Sequence, residues 1–258
     1  MTFVNTVVEV WKRCGEFIKT FYRYTSNVIL SDLAHFWLWF IYCGFTEANP
    51  VNRSITEFKN MLMTGVKIWD IRDVKRFILD SGLRFKYDIA DRVERGFKVI
   101  KNMYGIVRYY YMSNKTDYLS SRVLREELTK LLKTYRFKIV SVFLSFMDFE
   151  VLPIDTHVLN VLKRHGLINV VQVTKGSQVL SKSRYLEIEQ LLWNMFKKFG
   201  IRLNYLDPIL FIFDYGINCD IDKSFEWCVC KYIHDLLNKW GEVVTSIVEY
   251  LNSARFVS

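Results

Sequence analysis

Proline and glycine are scarce in this 258-residue chain, at 3 and 11 residues. So few chain breakers exclude a fold of many short strands and tight turns, and favour long uninterrupted helices. No apolar run is long enough to span a bilayer. The longest, Leu33–Phe45, falls short of the roughly 18 residues required, and it carries His35, so it reads as a core helix. The opening Met1-Thr2-Phe3-Val4-Asn5 lacks the basic start and small-residue cleavage site of a signal peptide, and Glu9 lies inside the amphipathic pattern that it leads into. An intracellular, cytoplasmic protein is therefore expected.

Cysteine is sparse and odd in number. Five residues in a chain large enough to bury its own core imply no disulfide framework, and Cys14 and Cys43 read as reduced core residues. Cys219, Cys228 and Cys230 lie close in sequence, but one Cys-x-Cys with an outlier offers three ligands at best. Neither a metal nor another cofactor is expected. No internal repeat or low-complexity tract is present, which removes the solenoid folds.

What is present points to helices. The 51% hydrophobic content is ample for a core. Phe3, Val7, Trp11, Cys14, Ile18 and Tyr22 recur at spacings of three and four, marking an amphipathic first helix. Ser31 or Asp32 caps a second helix ending at Gly44, and Pro50 marks a boundary. Helical segments continue over 54–63, 70–79 and 88–103, the last stopping before Gly105. Ser120 or Ser121 opens another, running toward Lys133. A turn at Tyr135-Arg136-Phe137 leads into 138–147, apolar nearly all round; no other segment supplies a sheet partner, so helix is expected there. Asp155 caps a helix ending at His165-Gly166, 170–183 reads as a polar loop, and Gly200 closes a helix over 185–199. Asp207 reads as an N-cap with Pro208 at the first helical position, and a long terminal helix begins near Phe225. The fold class is all-α.

An excess of 36 Lys and Arg over 27 Asp and Glu leaves a formal charge of +9. That balance suits a polyanionic partner or an acidic membrane surface, and charge alone does not choose between them.

The choice comes from one segment. Val151-Leu152-Pro153-Ile154-Asp155-Thr156-His157-Val158 resembles the Val-Asp-Thr-His-Val segment of endonuclease III-like enzymes in the helix-hairpin-helix DNA glycosylase superfamily. Lys138 lies 17 residues before Asp155, matching that superfamily's nucleophile and carboxylate. The stretch Ile201-Arg202-Leu203-Asn204-Tyr205-Leu206-Asp207, after a helix holding Trp193, is similar to the archaeal 8-oxoguanine glycosylase family, whose base pocket includes the position of Asp207. The likeness covers 119–216. It implies a two-lobed fold, with 46–150 as a central lobe, 1–45 plus 151–258 as the second, and the active site in the cleft between them. It also implies a nucleoid-associated monomer, with no membrane partner, acting on a base flipped out of damaged double-stranded DNA.

The chain departs at three places, the first from the wider superfamily's hairpin, whose glycine signature the archaeal family also lacks, and two from the archaeal family itself. Lys133-Thr134-Tyr135-Arg136-Phe137 replaces the Gly-x-Gly hairpin. Ser145 stands where the archaeal family has Lys, and Phe211 where it has Trp, both at base-pocket positions. An oxidised purine, 8-oxoguanine first, is the implied substrate.

The residue types suit the chemistry. A glycosylase that is also a lyase needs an amine to displace the base at C1′ and persist as a Schiff base. An ordinary lysine is neutral about one time in 2,500 at pH 7, a handicap of about 4.6 kcal/mol. Lys138 at the start of an apolar helix is expected to lose much of that handicap through desolvation and the helix dipole. Asp155 would stay ionised and stabilise a cationic sugar, although Asp at that position is equally an ordinary N-cap. Lys133 is the competing nucleophile, and His157 reads as structural. Arg84, Lys86, Arg92, Arg95 and Lys98, interleaved with Phe85, Tyr87 and Phe97, form either a phosphate-facing surface or a solvated helix face. Two other functions stay open: a non-catalytic helical nucleic-acid-binding protein, and a monofunctional glycosylase in which Asp155 activates water.

Overall fold

The computed structural model describes residues 2–47, 49–133, 137–169, 173–174, 177–178, 180–214 and 225–254. Eleven α-helices run through them: α1 (Phe3–Ile29), α2 (Leu33–Phe45), α3 (Val51–Met63), α4 (Ile71–Asp80), α5 (Lys86–Met112), α6 (Tyr118–Leu132), α7 (Phe137–Ser145), α8 (Thr156–Arg164), α9 (Lys182–Phe196), α10 (Leu203–Asp214) and α11 (Phe225–Ala254). A two-residue antiparallel ladder, Val173–Thr174 with Ser177–Gln178, is the only strand pairing among the described residues. The all-α expectation holds.

The apolar composition of α2 sets the packing. A helix hydrophobic on every side has no face to offer water, and residues 36–45 are buried without interruption. Trp37 satisfies its indole N–H on the Ile68 carbonyl at 2.8 Å. From α7, Phe143 meets Phe36 and Phe40 edge-on, with ring centroids 5.0 and 5.6 Å apart. Gly96 of α5 lies against the Phe40 ring, where an added methyl would collide. Around this hub α1 packs along α11, and α8 along α10. No single helix among the described residues is long and apolar enough to cross a membrane.

Helix ends marked by strong local chemistry lie where the sequence predicts them. Asp32, Asp70 and Asp155 cap α2, α4 and α8 through their carboxylates. Gly166 and Gly200, at φ of 67° and 69°, end α8 and the 3-10 turn Lys197–Phe199 that comes after α9. Other boundaries move. Helix α5 continues through Gly105 to Met112, because a helical glycine costs only about 1 kcal/mol and Met103 and Val107 bury fully on either side of it. Helix α6 starts from Asp117, which accepts hydrogen bonds from the N–H groups of Leu119 and Ser120, whereas Ser121 donates its hydroxyl to Thr116 O. Helix α3 begins at Val51, directly after Pro50.

Two corrections bear on function. Helix α10 begins at Leu203 and carries Pro208 inside it, so Asp207 is not a cap. Burial of Leu203, Leu206, Ile209 and Leu210 outweighs the one helical hydrogen bond that proline removes. Second, Cys14 is not a reduced thiol: it forms a disulfide with Cys230, with Cα atoms 5.8 Å apart, clipping α1 to α11. Parity of the cysteine count could not reveal this, because helix packing brings together residues 216 apart in sequence. Cys43 is free and buried, as expected. Cys219 and the turn at 135–136 lie outside the described residues, as does the side chain of Cys228. Among the described residues no three of His, Cys, Asp and Glu gather as metal ligands.

Candidate active site

A cavity of about 380 Å³ opens where α2, α3, α7, α8, α10 and α11 converge, and its lining includes Lys138, Asp155, Asp207 and Phe211. Four residues separated by up to 73 positions in sequence thus share one chamber.

Each arrives by a different route. Lys138 is the second residue of α7, and Val142 one turn later lines the same chamber. Lys138 is half-buried. Lys133, the competing lysine, is exposed at the end of α6 with φ of 50° and does not line the cavity.

Asp155 performs the capping role that local sequence predicts. Its Oδ1 accepts from the His157 and Val158 N–H groups at 2.9 and 3.1 Å. Both bonds fall on Oδ1, which leaves Oδ2 outside the cap. The N-terminal dipole of α8 favours negative charge there, so capping and an electrostatic role are compatible.

Asp207 lies on the fifth residue of α10, half-buried in the cavity wall. Burial, and then the neighbouring Asp155 carboxylate, push its carboxyl well above the usual range, while Lys138 pulls it down. Lys138 and Asp155 thus both lie close enough for their charges to act on Asp207.

Part of the lining is aromatic. Trp240 of α11 packs edge-on against Phe146 at 4.9 Å and faces Phe211 at 6.4 Å, and Tyr42 lines the same chamber. Phe211 also lies 4.7 Å from the His157 ring. His157 is held by Asp214, Nδ1 to Oδ2 at 2.7 Å, which ties α8 to α10. At the rim, Asn49 accepts from Arg84 N–H at 2.8 Å.

Sequence reasoning singled out neither Trp240, Tyr42 nor Asn49 for this chamber. Each sits on a separate element, and no local pattern distinguishes them from core or loop residues. Ser145 is the reverse case. It is fully buried, its hydroxyl donates to Val142 O at 2.9 Å, and it is absent from the cavity lining. Around the start of α5 the basic residues divide: Arg84 lines the cavity, Arg92 pairs with Glu47, and Arg95 pairs with Asp91 at 2.7 Å. Phe85 and Tyr87 are exposed beside them. A larger groove of about 560 Å³ runs along α1, α3 and α11, where Lys59 is paired with Glu242 and Glu249 is the remaining charged group of the lining.

An amine, two carboxylates, of which Asp207 has a raised proton affinity, and aromatic side chains can bind a planar ring and perform nucleophilic displacement at its attachment point.

Known proteins share this arrangement of helices. A family model described as 8-oxoguanine DNA glycosylase of the helix-hairpin-helix type matches residues 12–201. The 8-oxoguanine DNA glycosylase/AP lyase of Korarchaeum cryptofilum is 33% identical over 102 residues, which is 39% of this chain and 46% of that protein. The match therefore spans about half the length of that curated relative. The 8-oxoguanine DNA glycosylase of Thermotoga maritima has a similar structure, with TM-score 0.64 and 21% identity, covering 85% of this chain and 98% of that one. So does the Methanocaldococcus jannaschii 8-oxoguanine glycosylase/lyase in complex with a 15mer DNA containing 8-oxoguanine, with TM-score 0.65 and 18% identity, over 82% of this chain and 98% of that one. Because the family model spans most of the sequence, this chain belongs to the helix-hairpin-helix 8-oxoguanine DNA glycosylase family.

Proposed function

We propose that the protein is a bifunctional DNA N-glycosylase and abasic-site lyase that removes an oxidised purine, with 8-oxoguanine as the first candidate. The observation that carries this reading is the meeting of Lys138, Asp155 and Asp207 in one partly aromatic cavity. Its volume suits a single nucleobase extruded from bent duplex DNA. The activities named for the relatives agree with it.

In this reading Lys138 Nζ attacks C1′ of the flipped nucleotide, the C1′–N bond breaks, and the base departs with its electron pair and a proton. The C1′–O4′ bond then breaks, its electron pair and a proton going to O4′, and the opened sugar is held as a Schiff base that permits loss of a proton from C2′ and β-elimination of the 3′ phosphate. Asp155 Oδ2, outside the cap, stabilises positive charge on the sugar and receives the lysine's proton. Asp207, with its raised proton affinity, holds a proton with which to hydrogen-bond the base, and Phe211 and Trp240 supply apolar contact. The cavity draws Thr46, Arg84 and Lys138 from 46–150, and Tyr42, Asp155, Asp207 and Trp240 from 1–45 and 151–258. That division supports two lobes with the site between them.

Borohydride trapping on duplexes carrying different damaged bases tests the reading, scored separately for base release and strand nicking. Lys138→Gln is expected to abolish the trapped adduct, and Lys133→Gln to leave it. Base release without trapping would point instead to a monofunctional enzyme. Tight binding with neither release nor nicking would point to a non-catalytic DNA-binding protein.

A further inference from the structure

Behind the cavity lies a cluster of polar side chains that no surface contact explains. Arg125 of α6 and Glu189 of α9 are both fully buried and joined through two bonds of 2.6 Å each, Nη1 to Oε1 and Nη2 to Oε2. Arg125 Nη1 also donates to Ser141 Oγ at 3.1 Å. Ser141 is three residues after Lys138 on α7. The Tyr185 hydroxyl lies 3.0 Å from Ser141 Oγ, donates to Leu152 O at 2.6 Å and accepts from Ile154 N–H at 3.0 Å. Glu189 Oε1 accepts from Leu152 N–H at 3.3 Å.

These bonds converge on the two pieces of backbone that carry the reacting groups. One is the first turn of α7, which presents Lys138 and which the network reaches through Ser141, whose hydroxyl donates to Phe137 O at 2.8 Å. The other is the extended stretch 151–154, which leads into Asp155 and belongs to no helix or ladder. Val151, Leu152 and Ile154 are buried, so the backbone polar groups of this stretch need partners. Tyr185 and Glu189 of α9 supply them from side chains.

Stability alone does not account for such a cluster. A buried ion pair can usually be replaced by apolar side chains of similar volume with little loss, and Arg125 Nε lacks a partner among the described residues. What apolar side chains cannot do is hold the backbone of 151–154 at one distance and angle from α7. Reacting groups need that constraint, because displacement by about 1 Å costs roughly 100-fold in rate.

We propose that Arg125, Ser141, Tyr185 and Glu189 form a positioning network that locks the helix of Lys138 to the segment of Asp155. The four are positioning residues, not catalytic ones, and the inference rests on the assignment of Lys138 and Asp155 above.

The test uses the full chain with two variants. Tyr185→Phe removes only the hydroxyl that joins Ser141 to 152–154. Arg125→Met with Glu189→Met replaces the ion pair by apolar side chains, so that neither charge is left buried alone. Three quantities are read for each: the single-turnover rate of base release, the Kd for lesion duplex, and amide hydrogen exchange across 152–158. For Tyr185→Phe we expect exchange faster by about tenfold and base release slower by about 10- to 100-fold, with Kd unchanged within about twofold. The double variant is expected to keep its fold while showing the same rate defect.

Unchanged exchange in Tyr185→Phe would overturn the network outright. Faster exchange with an unchanged rate would overturn its positioning role and leave it merely structural. If the unmodified protein releases no base from any duplex, the proposed function fails instead. Exchange alone then decides whether the network holds 152–158.

Discussion

At the scale of single residues, Asp155 carries two roles that one substitution can separate. Asparagine caps a helix about as well as aspartate, so Asp155→Asn is expected to change stability by less than about 0.5 kcal/mol. It lacks the charge proposed to steady the sugar and take the lysine's proton, and base release should fall by about 100-fold or more. Thermal melting and single-turnover kinetics on the same sample check both halves. Equal activity in the two proteins would return Asp155 to a cap alone. Asp207 makes a different prediction. Its folded-state proton affinity is raised, first by burial and then by Asp155. The folded protein therefore keeps a proton that the unfolded chain releases above its ordinary pKa of about 3.9, and this group makes stability fall as pH rises from there. Asp207→Asn is expected to flatten that dependence and raise the neutral-pH Tm by about 2–4 °C, while weakening base release. A melting series from pH 4 to neutrality reads the slope.

The elements of the fold test how helices are held to one another. The Cys14–Cys230 bridge closes a loop of 216 residues between α1 and α11, and chain-entropy arithmetic for such a loop gives about 5.4 kcal/mol, at the top of the range that disulfides contribute. Reduction, or Cys14→Ser, is expected to lower Tm by about 10 °C, without altering the cavity's own residues. Melting with and without reductant measures it. Close packing sets another limit. Gly96→Ala forces a methyl into the Phe40 ring between α5 and α2, and overpacking of this kind costs about 1–3 kcal/mol. How far such elements were legible depended on how local their cause was. Asp32, Asp155, Gly166 and Gly200 announce helix ends because a cap or a left-handed turn is a property of a few neighbouring residues. Pro208 and Gly105 misled, because their local cost is small beside the apolar burial that carries α10 and α5 through them.

For the whole molecule, the excess of nine positive charges suits phosphate neutralisation. Affinity for duplex DNA is expected to fall by about 100-fold between about 50 and 200 mM salt if even four phosphates are engaged. A titration at three salt concentrations gives the slope, and a flat response would remove DNA as the partner. Sequence by itself determined the helical class, because hydrophobic period and scarce breakers act over a few turns. It also singled out Lys138 and Asp155 as the proposed pair, because Asp155 sits in a short recognisable segment and Lys138 lies 17 residues before it. Only the tertiary structure decided what surrounds them. Trp240 and Tyr42 line the chamber, Ser145 stays in the core, Asp207 joins the wall from inside a helix, and Cys14 finds Cys230. The reason is physical: cavity walls, buried ion pairs and a long-range disulfide are made by side chains that meet only when helices distant in sequence pack, and that meeting leaves no periodic trace along the chain.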